Sequence, residues 1–400
     1  MASNVYKLYA IRFFHSLIPA YVIERLFWEE RGMTIPLVVY TEIIFAVIVL
    51  LAELPTGILA DKWGRKPMLV LSAIIGCLEF LLLVFATEFW HFALVIALTA
   101  VGRASASGAE HALLYESLQL AGKKSSFEKV LGRLAALDIA GTMVAALCGS
   151  LLAASFGFEL NYWLSFSSMA VCLAVTLMLA ESDSSAIDSE GEKAGQAAQT
   201  EPGTMKQYIA ASLQFFRAHP GAALVVLSGM LIGAAINFID EFWQLYLDRL
   251  GIPLLAFGLF SSIIFLIRLP GSLLAYKLKN RFSYRTLITV SLLVSAAGYI
   301  FLGAIRHESG IFAIVLICLF AGMIEPLATG YLHHRIGSSS MRATIDSFQS
   351  LALNAAMAAT GLGFGYFSSL LDIFGGFGFL GVVCAIYTGW YLIVSRRISD

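Results

Sequence analysis

Long apolar stretches alternate with short polar segments along almost the whole chain. Most of these stretches hold 18 or more largely apolar residues, the length that a helix needs to cross a bilayer. The pattern therefore predicts twelve membrane-spanning helices. Six are predicted in the first half, at about 5–28, 34–57, 68–87, 91–118, 130–154 and 161–180, and six in the second, at about 220–246, 254–276, 286–305, 311–332, 343–367 and 374–395.

The two halves are separated by the segment ESDSSAIDSEGEKAGQAAQTEPG, which is polar, acidic and free of aromatic residues. A segment of this composition cannot bury an apolar core and is typical of a solvated linker. We therefore predict an N-terminal six-helix bundle at 1–180, a cytoplasmic linker at 181–206 and a C-terminal six-helix bundle at 207–400.

The halves also repeat each other at an offset of about 215 residues. LPTGILADK (Leu54–Lys62) aligns with LPGSLLAYK (Leu269–Lys277), and Glu110 aligns with Glu325. The repeat predicts an all-α membrane protein with two pseudo-symmetric six-helix bundles in the same orientation. Transporters built from such repeats bind substrate between the halves, near the middle of the membrane.

Composition and charge support a membrane protein. The chain has 59% hydrophobic and 13% charged residues, whereas soluble domains carry about 25% charged residues. Lys and Arg concentrate in alternate loops, which places both termini in the cytoplasm if the protein lies in the cell membrane. A net charge of -1 gives no reason to expect nucleic-acid binding. The sequence holds no P-loop, nucleophile elbow or paired-cysteine motif, so we expect no enzymatic activity, no cofactor and no metal.

The segment GILADKWGRKP, residues 57–67, places dense charge between two apolar stretches. It resembles the signature loop between the second and third helices of the major facilitator superfamily, G-x-L-a-D-r-x-G-r-k. Gly57, Asp61, Gly64, Arg65 and Lys66 match that pattern. With twelve spans and the repeat, the resemblance covers the whole chain, and we refer to residues 57–67 as the signature loop.

Each residue type in the signature loop has a physical reason. Gly57 permits close approach of two helices, and Gly64 permits a tight turn. The carboxylate of Asp61 is favoured beside the N-terminus of another helix. Arg65 is placed to bridge to Glu116. The resemblance implies that the loop is a charged latch between the halves, which holds the outward-open state.

Ionisable residues inside membrane spans are costly and usually mark a pathway or an interior contact. Arg103 and Glu110 share one face of the fourth span, and Asp138 lies on a small-residue stripe in the fifth. His15 carries an imidazole that exchanges protons near neutral pH, and Glu325 repeats Glu110. These five residues are candidates for proton coupling; structural polar contacts are the alternative.

A second set of polar and aromatic residues lies near the outer ends and centres of the spans. Arg25 is placed to pair with Asp240 or Glu241 as an outer gate, the alternative being an interfacial side chain. The full set of cavity and gate candidates is Tyr21, Glu24, Arg25, Asn237, Asp240, Glu241 and Asn354.

The small-residue spacing from Gly141 to Ser150 and the stretch SGAEHALLYESL (Ser107–Leu118) resemble those of bacterial drug:proton antiporters. That resemblance implies proton-coupled export of a small amphipathic drug or metabolite by alternating access, by a monomer whose partners are its substrate, protons and the bilayer. Proton-coupled nutrient uptake is the alternative, and a non-transporting receptor is a third possibility.

Overall fold

The computed structural model describes residues 2–181, 205–333 and 339–395, and within these ranges the only regular secondary structure is helical. The chain divides into two compact units. Unit 1 comprises Met1–Ser185 and Gly251–Ser262, and unit 2 comprises Ala186–Leu250 and Ile263–Asp400. Most of the predicted linker lies outside the described residues, so its bounds stay a prediction.

Unit 1 is built from eight helices and two short 3₁₀ turns. They are α1 (Ala2–Ser16), a turn (Pro19–Val22), α2 (Glu24–Glu30), α3 (Ile35–Trp63), α4 (Arg65–Phe85), α5 (Phe89–Ser107), α6 (Ala109–Leu120), a turn (Lys124–Ser126), α7 (Phe127–Phe156) and α8 (Glu159–Leu177). The first residues of α11 (Leu255–Leu266) also belong to this unit.

Unit 2 begins in the described residues with α9 (Met205–Ala218), a helix that the apolar pattern did not predict. The helices that follow are α10 (Pro220–Arg249), the end of α11, α12 (Arg268–Lys279), α13 (Tyr284–Ala304), α14 (Ser309–His333) and α15 (Ser339–Val394). The backbone of α15 leaves helical geometry at Leu371 and Asp372. Arg249 holds this kink through a 2.7 Å ion pair to Asp372.

Ten helical segments of the described chain are long and apolar enough to cross a membrane. One of them, Phe348–Val394, has 47 residues, and at 1.5 Å per residue it would be about 70 Å long. The hydrocarbon core is about 30 Å thick, so this segment makes two crossings that meet at the kink. The first predicted span is also present, but it is broken into α1 and α2. The prediction of twelve spans in two pseudo-symmetric bundles is thus confirmed.

Candidate functional site

The first span is interrupted in its middle, between the end of α1 at Ser16 and the start of α2 at Glu24. Pro19 lies inside the interruption and has no backbone N–H to donate. A broken helix leaves backbone groups without helical partners, which is tolerated within a membrane only where other protein groups bind them. The sequence predicts a span here but not its interruption.

The partners of this broken segment come from one face of α8. The side-chain amide of Asn161 donates to the carbonyl of Pro19 at 3.2 Å and to that of Gly149 at 2.9 Å. The hydroxyl of Ser165 accepts a hydrogen bond from the backbone N–H of Ala20 at 3.0 Å. Asn161 and Ser165 are fully buried. They supply the donors and acceptors that water supplies elsewhere.

The same face of α8 continues toward α1. Ser168 donates to the carbonyl of Phe14 at 2.8 Å, and the thiol of Cys172 lies 3.8 Å from the carbonyl of Ile11. Positions 161, 165, 168 and 172 are spaced three or four residues apart and therefore share one helix face. We call these four residues the α8 polar face. It follows the first span through its interruption.

On another side of the first span, α7 packs with small residues. A Cβ at Gly141 would lie 2.8 Å from the carbonyl oxygen of Phe13, and one at Gly149 would lie 2.5 Å from that of Pro19. Gly258 of α11 packs in the same way on the carbonyl of Ala146. The stripe that resembles an antiporter signature therefore acts, within unit 1, as a close-packing surface.

Charged side chains gather where α1 meets α6 and α7. One guanidinium nitrogen of Arg12 lies 2.7 Å from both carboxylate oxygens of Glu110. Ser16 donates its hydroxyl hydrogen to Asp138 or to the carbonyl of Arg12, which lies 2.9 Å away. Glu110 is thus neutralised by a cation, whereas Asp138 is bound by a neutral hydroxyl.

A cavity of about 200 Å³ opens beside these charges. It is lined by Arg12, Glu110, His111, Leu114, Leu131, Leu134, Ala135 and Asp138. His15 is accessible, and its electrostatic neighbours are Arg12, Glu110, Asp138 and Arg103. The helix break at Gly108 puts Arg103 on α5 and Glu110 on α6. Four of the five proton-coupling candidates therefore belong to one electrostatic cluster, which we call the cavity cluster.

A second group of charges lies beyond the interruption of the first span. Arg25 is 4% exposed, its guanidinium lies 4.6 Å from the ring centre of Trp28, and it pairs with Glu42 at 2.9 Å and with Glu24 at 3.9 Å. The ring of Tyr21 lies 5.8 Å from that of Phe80. Pairing of Arg25 with Asp240 or Glu241 stays a prediction.

In unit 2, Asp240 of α10 forms an ion pair with Arg268 of α12. The guanidinium of Arg268 also lies 5.9 Å from the ring centre of Phe265. Glu325 on α14 is accessible, and Asn237 and Asn354 are half-buried. Sequence reasoning put Asp240 at a gate and left Arg268 without an assigned role, whereas the structure joins the two.

The signature loop connects α3 to α4. Gly64 separates the two helices with a φ of 98°, the turn expected for it. The predicted ion pair of Arg65 with Glu116 is present at 3.8 Å, and the backbone N–H of Lys66 donates to Glu181 at 3.3 Å. The close approach expected at Gly57 is not found, because a Cβ there would meet none of the described atoms within 4 Å. The side chain of Asp61 lies outside the described residues.

Sequence reasoning missed Asn161, Glu42 and Glu181. Asn161 and Ser165 begin a three- and four-residue polar spacing on an otherwise apolar span, which was the available signal for the α8 polar face. Glu42 and Glu181 gave no comparable signal. Each is a single acid: Glu42 pairs with Arg25, which is not a sequence neighbour, and Glu181 accepts from the backbone N–H of Lys66.

Comparisons with known proteins agree with this architecture. The family model of the Major Facilitator Superfamily matches residues 10–344. The tetracycline resistance protein, class H, of Pasteurella multocida is 25% identical over 328 residues, covering 81% of this chain and 76% of that protein. The multidrug resistance protein MdtG of Citrobacter koseri is 30% identical over 157 residues, which cover 38% of this chain and 37% of that protein.

Solved structures show the same fold. The nucleoside transporter NupG superposes with a TM-score of 0.75 at 13% identity, covering 97% of this chain and 98% of that one. A D-xylose-proton symporter superposes with a TM-score of 0.67 at 14% identity, covering 97% of this chain and 96% of that one. At these identities the likeness concerns the fold alone. The family match, the twelve spans and the signature loop together lead to one conclusion: the chain belongs to the Major Facilitator Superfamily and is a multi-pass membrane transporter of small molecules.

Proposed function

We propose that this protein is a proton-coupled antiporter that exports a small amphipathic drug or metabolite by alternating access. The relatives named for tetracycline and multidrug resistance support the direction and the substrate class. The proposal places the protein in the cell membrane as a monomer with both termini in the cytoplasm.

The arrangement of Asp138 and Glu110 on one cavity carries the proposal. Glu110 is bound by the guanidinium of Arg12 in a charge-assisted hydrogen bond. Asp138 is bound by the hydroxyl of Ser16, and none of the described cations forms an ion pair with it. Asp138 also lines the cavity, so a proton that enters the cavity has direct access to this carboxylate. Asp138 is therefore the proton carrier of this proposal, and Glu110 holds Arg12 on the same cavity.

In the proposed cycle, Asp138 takes a proton while the cavity is open to the outside, and the proton neutralises the carboxylate of Asp138. A neutral Asp138 is less costly to enclose in the membrane than its carboxylate, and this difference shifts the equilibrium toward the reoriented state. On the inside, an amphipathic substrate and the proton compete for the cavity cluster. The signature loop, through Asp61 and the pair of Arg65 with Glu116, sets the resting state between turnovers.

Reconstitution into sealed liposomes that contain a pH dye tests this proposal. Addition of lipophilic cations and zwitterions from a panel is expected to trigger proton movement with the wild type. Asp138→Asn is expected to abolish that movement while substrate binding persists. Glu128→Gln is the matched control, because Glu128 is an exposed acid in the first turn of the same helix.

Two results would contradict the proposal. If the Asp138→Asn variant moved protons as the wild type does, Asp138 would not be the proton carrier. Substrate accumulation driven by an inward proton gradient would instead support the uptake function.

A further inference from the structure

Helix α4 begins in the signature loop without a cap of its own. Its N-cap is Gly64, which has no side chain to offer, and the N–H of Gly64 donates back to the carbonyl of Ala60 in α3 at 3.1 Å. The start of a helix leaves backbone N–H groups without helical acceptors, and the N–H of Lys66 is one of these. Its acceptor must come from another part of the protein.

That acceptor is an acid from the end of the N-terminal half. The carboxylate of Glu181 accepts from the backbone N–H of Lys66 at 3.3 Å. It occupies the space left by the missing side chain of Gly64, since a Cβ there would lie 2.9 Å from the carboxyl carbon of Glu181. A carboxylate at this position also meets the positive end of the α4 dipole. Glu181 therefore does for α4 what an N-cap side chain does for other helices.

The segment that carries Glu181 is held by the first residues of α1. Beyond the end of α8, the ammonium group of Lys7 donates to the carbonyl of Met178 at 2.5 Å. The side-chain amide of Asn4 donates to the carbonyl of Ala180 at 2.9 Å and accepts from the N–H of Ala180 at 3.1 Å. These contacts fix the backbone immediately before Glu181.

Asn4 also joins this segment to the other partner of the signature loop. Its amide donates to the hydroxyl of Ser117 at 3.1 Å, and Asn4 and Ser117 are both fully buried. Ser117 directly follows Glu116, which pairs with Arg65 at 3.8 Å. One buried amide therefore fixes the neighbours of both acids that hold the signature loop, Glu116 on α6 and Glu181 after α8.

We propose that Glu181 is a positioning residue for the signature loop, placed by Asn4, and that its contact with Lys66 sets how firmly the loop holds the resting state. Glu181 is exposed, so the contact can open without disturbing the core of unit 1. It is also the first residue of the predicted linker, which brings the origin of the linker onto the loop. This inference rests on the proposed function for the role of the loop, whereas the contact itself can be measured without transport.

Nuclear magnetic resonance of the full-length protein in detergent, with isotopic nitrogen in lysine only, tests the contact. Lys66→Arg identifies the amide resonance of Lys66. Glu181→Ala is expected to move the amide proton of Lys66 upfield and to speed its exchange with solvent several-fold, because the acceptor is removed. Glu128→Ala is the matched control, since Glu128 is an exposed acid in the first turn of α7, and it should leave this resonance in place.

A second variant tests the part played by Asn4. Asn4→Ala removes neither of the two groups that bond, yet it should move the Lys66 resonance in the same direction as Glu181→Ala. If Asn4→Ala does not fold, Ser117→Ala removes one of the bonds of Asn4 and should give a smaller shift of the same sign. An unmoved resonance in the folded variant would show that Asn4 does not place Glu181.

Transport provides the functional test. In liposomes, Glu181→Ala is expected to lower the initial rate of tetraphenylphosphonium flux about two- to tenfold, the range for the loss of one hydrogen bond, while the affinity for this cation is unchanged. A weaker hold on the loop reduces the share of protein in the resting state that begins each turnover. A cap with a structural role alone would lower the unfolding temperature and leave the flux unchanged.

A Lys66 resonance that stays in place in Glu181→Ala would overturn the inference. Flux equal to that of Glu128→Ala, in a Glu181→Ala protein whose Lys66 resonance has moved, would also overturn it. Failure of the antiport proposal looks different, because Asp138→Asn then leaves proton movement intact while the Lys66 resonance still responds to Glu181→Ala.

Discussion

One guanidinium nitrogen of Arg12 lies 2.7 Å from each carboxylate oxygen of Glu110, and this contact joins α1 to α6. Both side chains are mostly buried. Within the cavity cluster the pair therefore has a structural role in addition to its electrostatic one, and removal of one partner leaves the other charge uncompensated.

We predict that Arg12→Met destabilises the protein by about 3 kcal/mol, because it leaves the Glu110 carboxylate buried without a cation. The double variant Arg12→Met/Glu110→Met is expected to be more stable than Arg12→Met alone, since no unpaired charge remains. Thermal unfolding of the purified variants in detergent measures both effects. Strictly additive destabilisation in the double variant would show that the two side chains do not interact.

The α8 polar face should be needed for the stability of the interrupted first span. Asn161→Leu removes the donor to the carbonyls of Pro19 and Gly149, and each buried carbonyl left without a donor costs about 1–3 kcal/mol. The expected result is a clear fall in the unfolding temperature in detergent.

Ser167→Ala is the control for Asn161→Leu. Ser167 is exposed and donates within its own helix to the carbonyl of Trp163 at 2.9 Å. An unfolding temperature for Asn161→Leu equal to that of this control would mean that the broken segment does not depend on α8.

Two glycines of α7 provide a test of close packing on one helix. Gly149→Ala places a Cβ 2.5 Å from the carbonyl oxygen of Pro19 and should destabilise the protein and slow transport. Gly132→Ala places a Cβ where none of the described atoms lies within 4 Å. It should raise stability by up to about 1 kcal/mol through helix propensity. Equal effects of the two substitutions would rule out a packing role for the α7 stripe.

We predict that Gly64→Ala, in the signature loop, lowers the rate of transport more than it lowers the stability of the fold. Gly64 has a φ of 98°, and a Cβ there would also collide with the carboxylate of Glu181. A non-glycine residue in such a conformation costs about 1–3 kcal/mol. If the loop sets the resting state, the initial rate of substrate-driven proton movement should fall while substrate affinity is retained.

Gly32→Ala is the matched control for the loop. Gly32 has a φ of 85°, and a Cβ there would meet none of the described atoms within 4 Å. It should therefore carry a similar backbone cost without disturbing the loop. If both variants slowed transport equally, backbone strain in general, and not the signature loop, would be the cause.

Hydrophobic length and the repeat were sufficient to predict the spans, because a bilayer of fixed thickness leaves few alternatives. The local pair of Arg65 and Glu116 was also predictable from the signature loop. The pair of Arg12 with Glu110 was not, since residues 98 positions apart in sequence meet only through helix packing. The interruption after Ser16 was equally hidden, because its cause is the combination of Pro19 with Gly149 and Asn161 from two later helices.

The interrupted first span has a consequence for the order in which the protein is made. Its hydrogen-bond partners on the α8 polar face lie 142 to 161 residues later in the chain. At a synthesis rate of about 5–20 residues per second, those partners are made roughly seven to thirty seconds after the first span. During that interval its free carbonyls need water or the insertion machinery, so the native shape of the N-terminal bundle is set only when its last helix arrives.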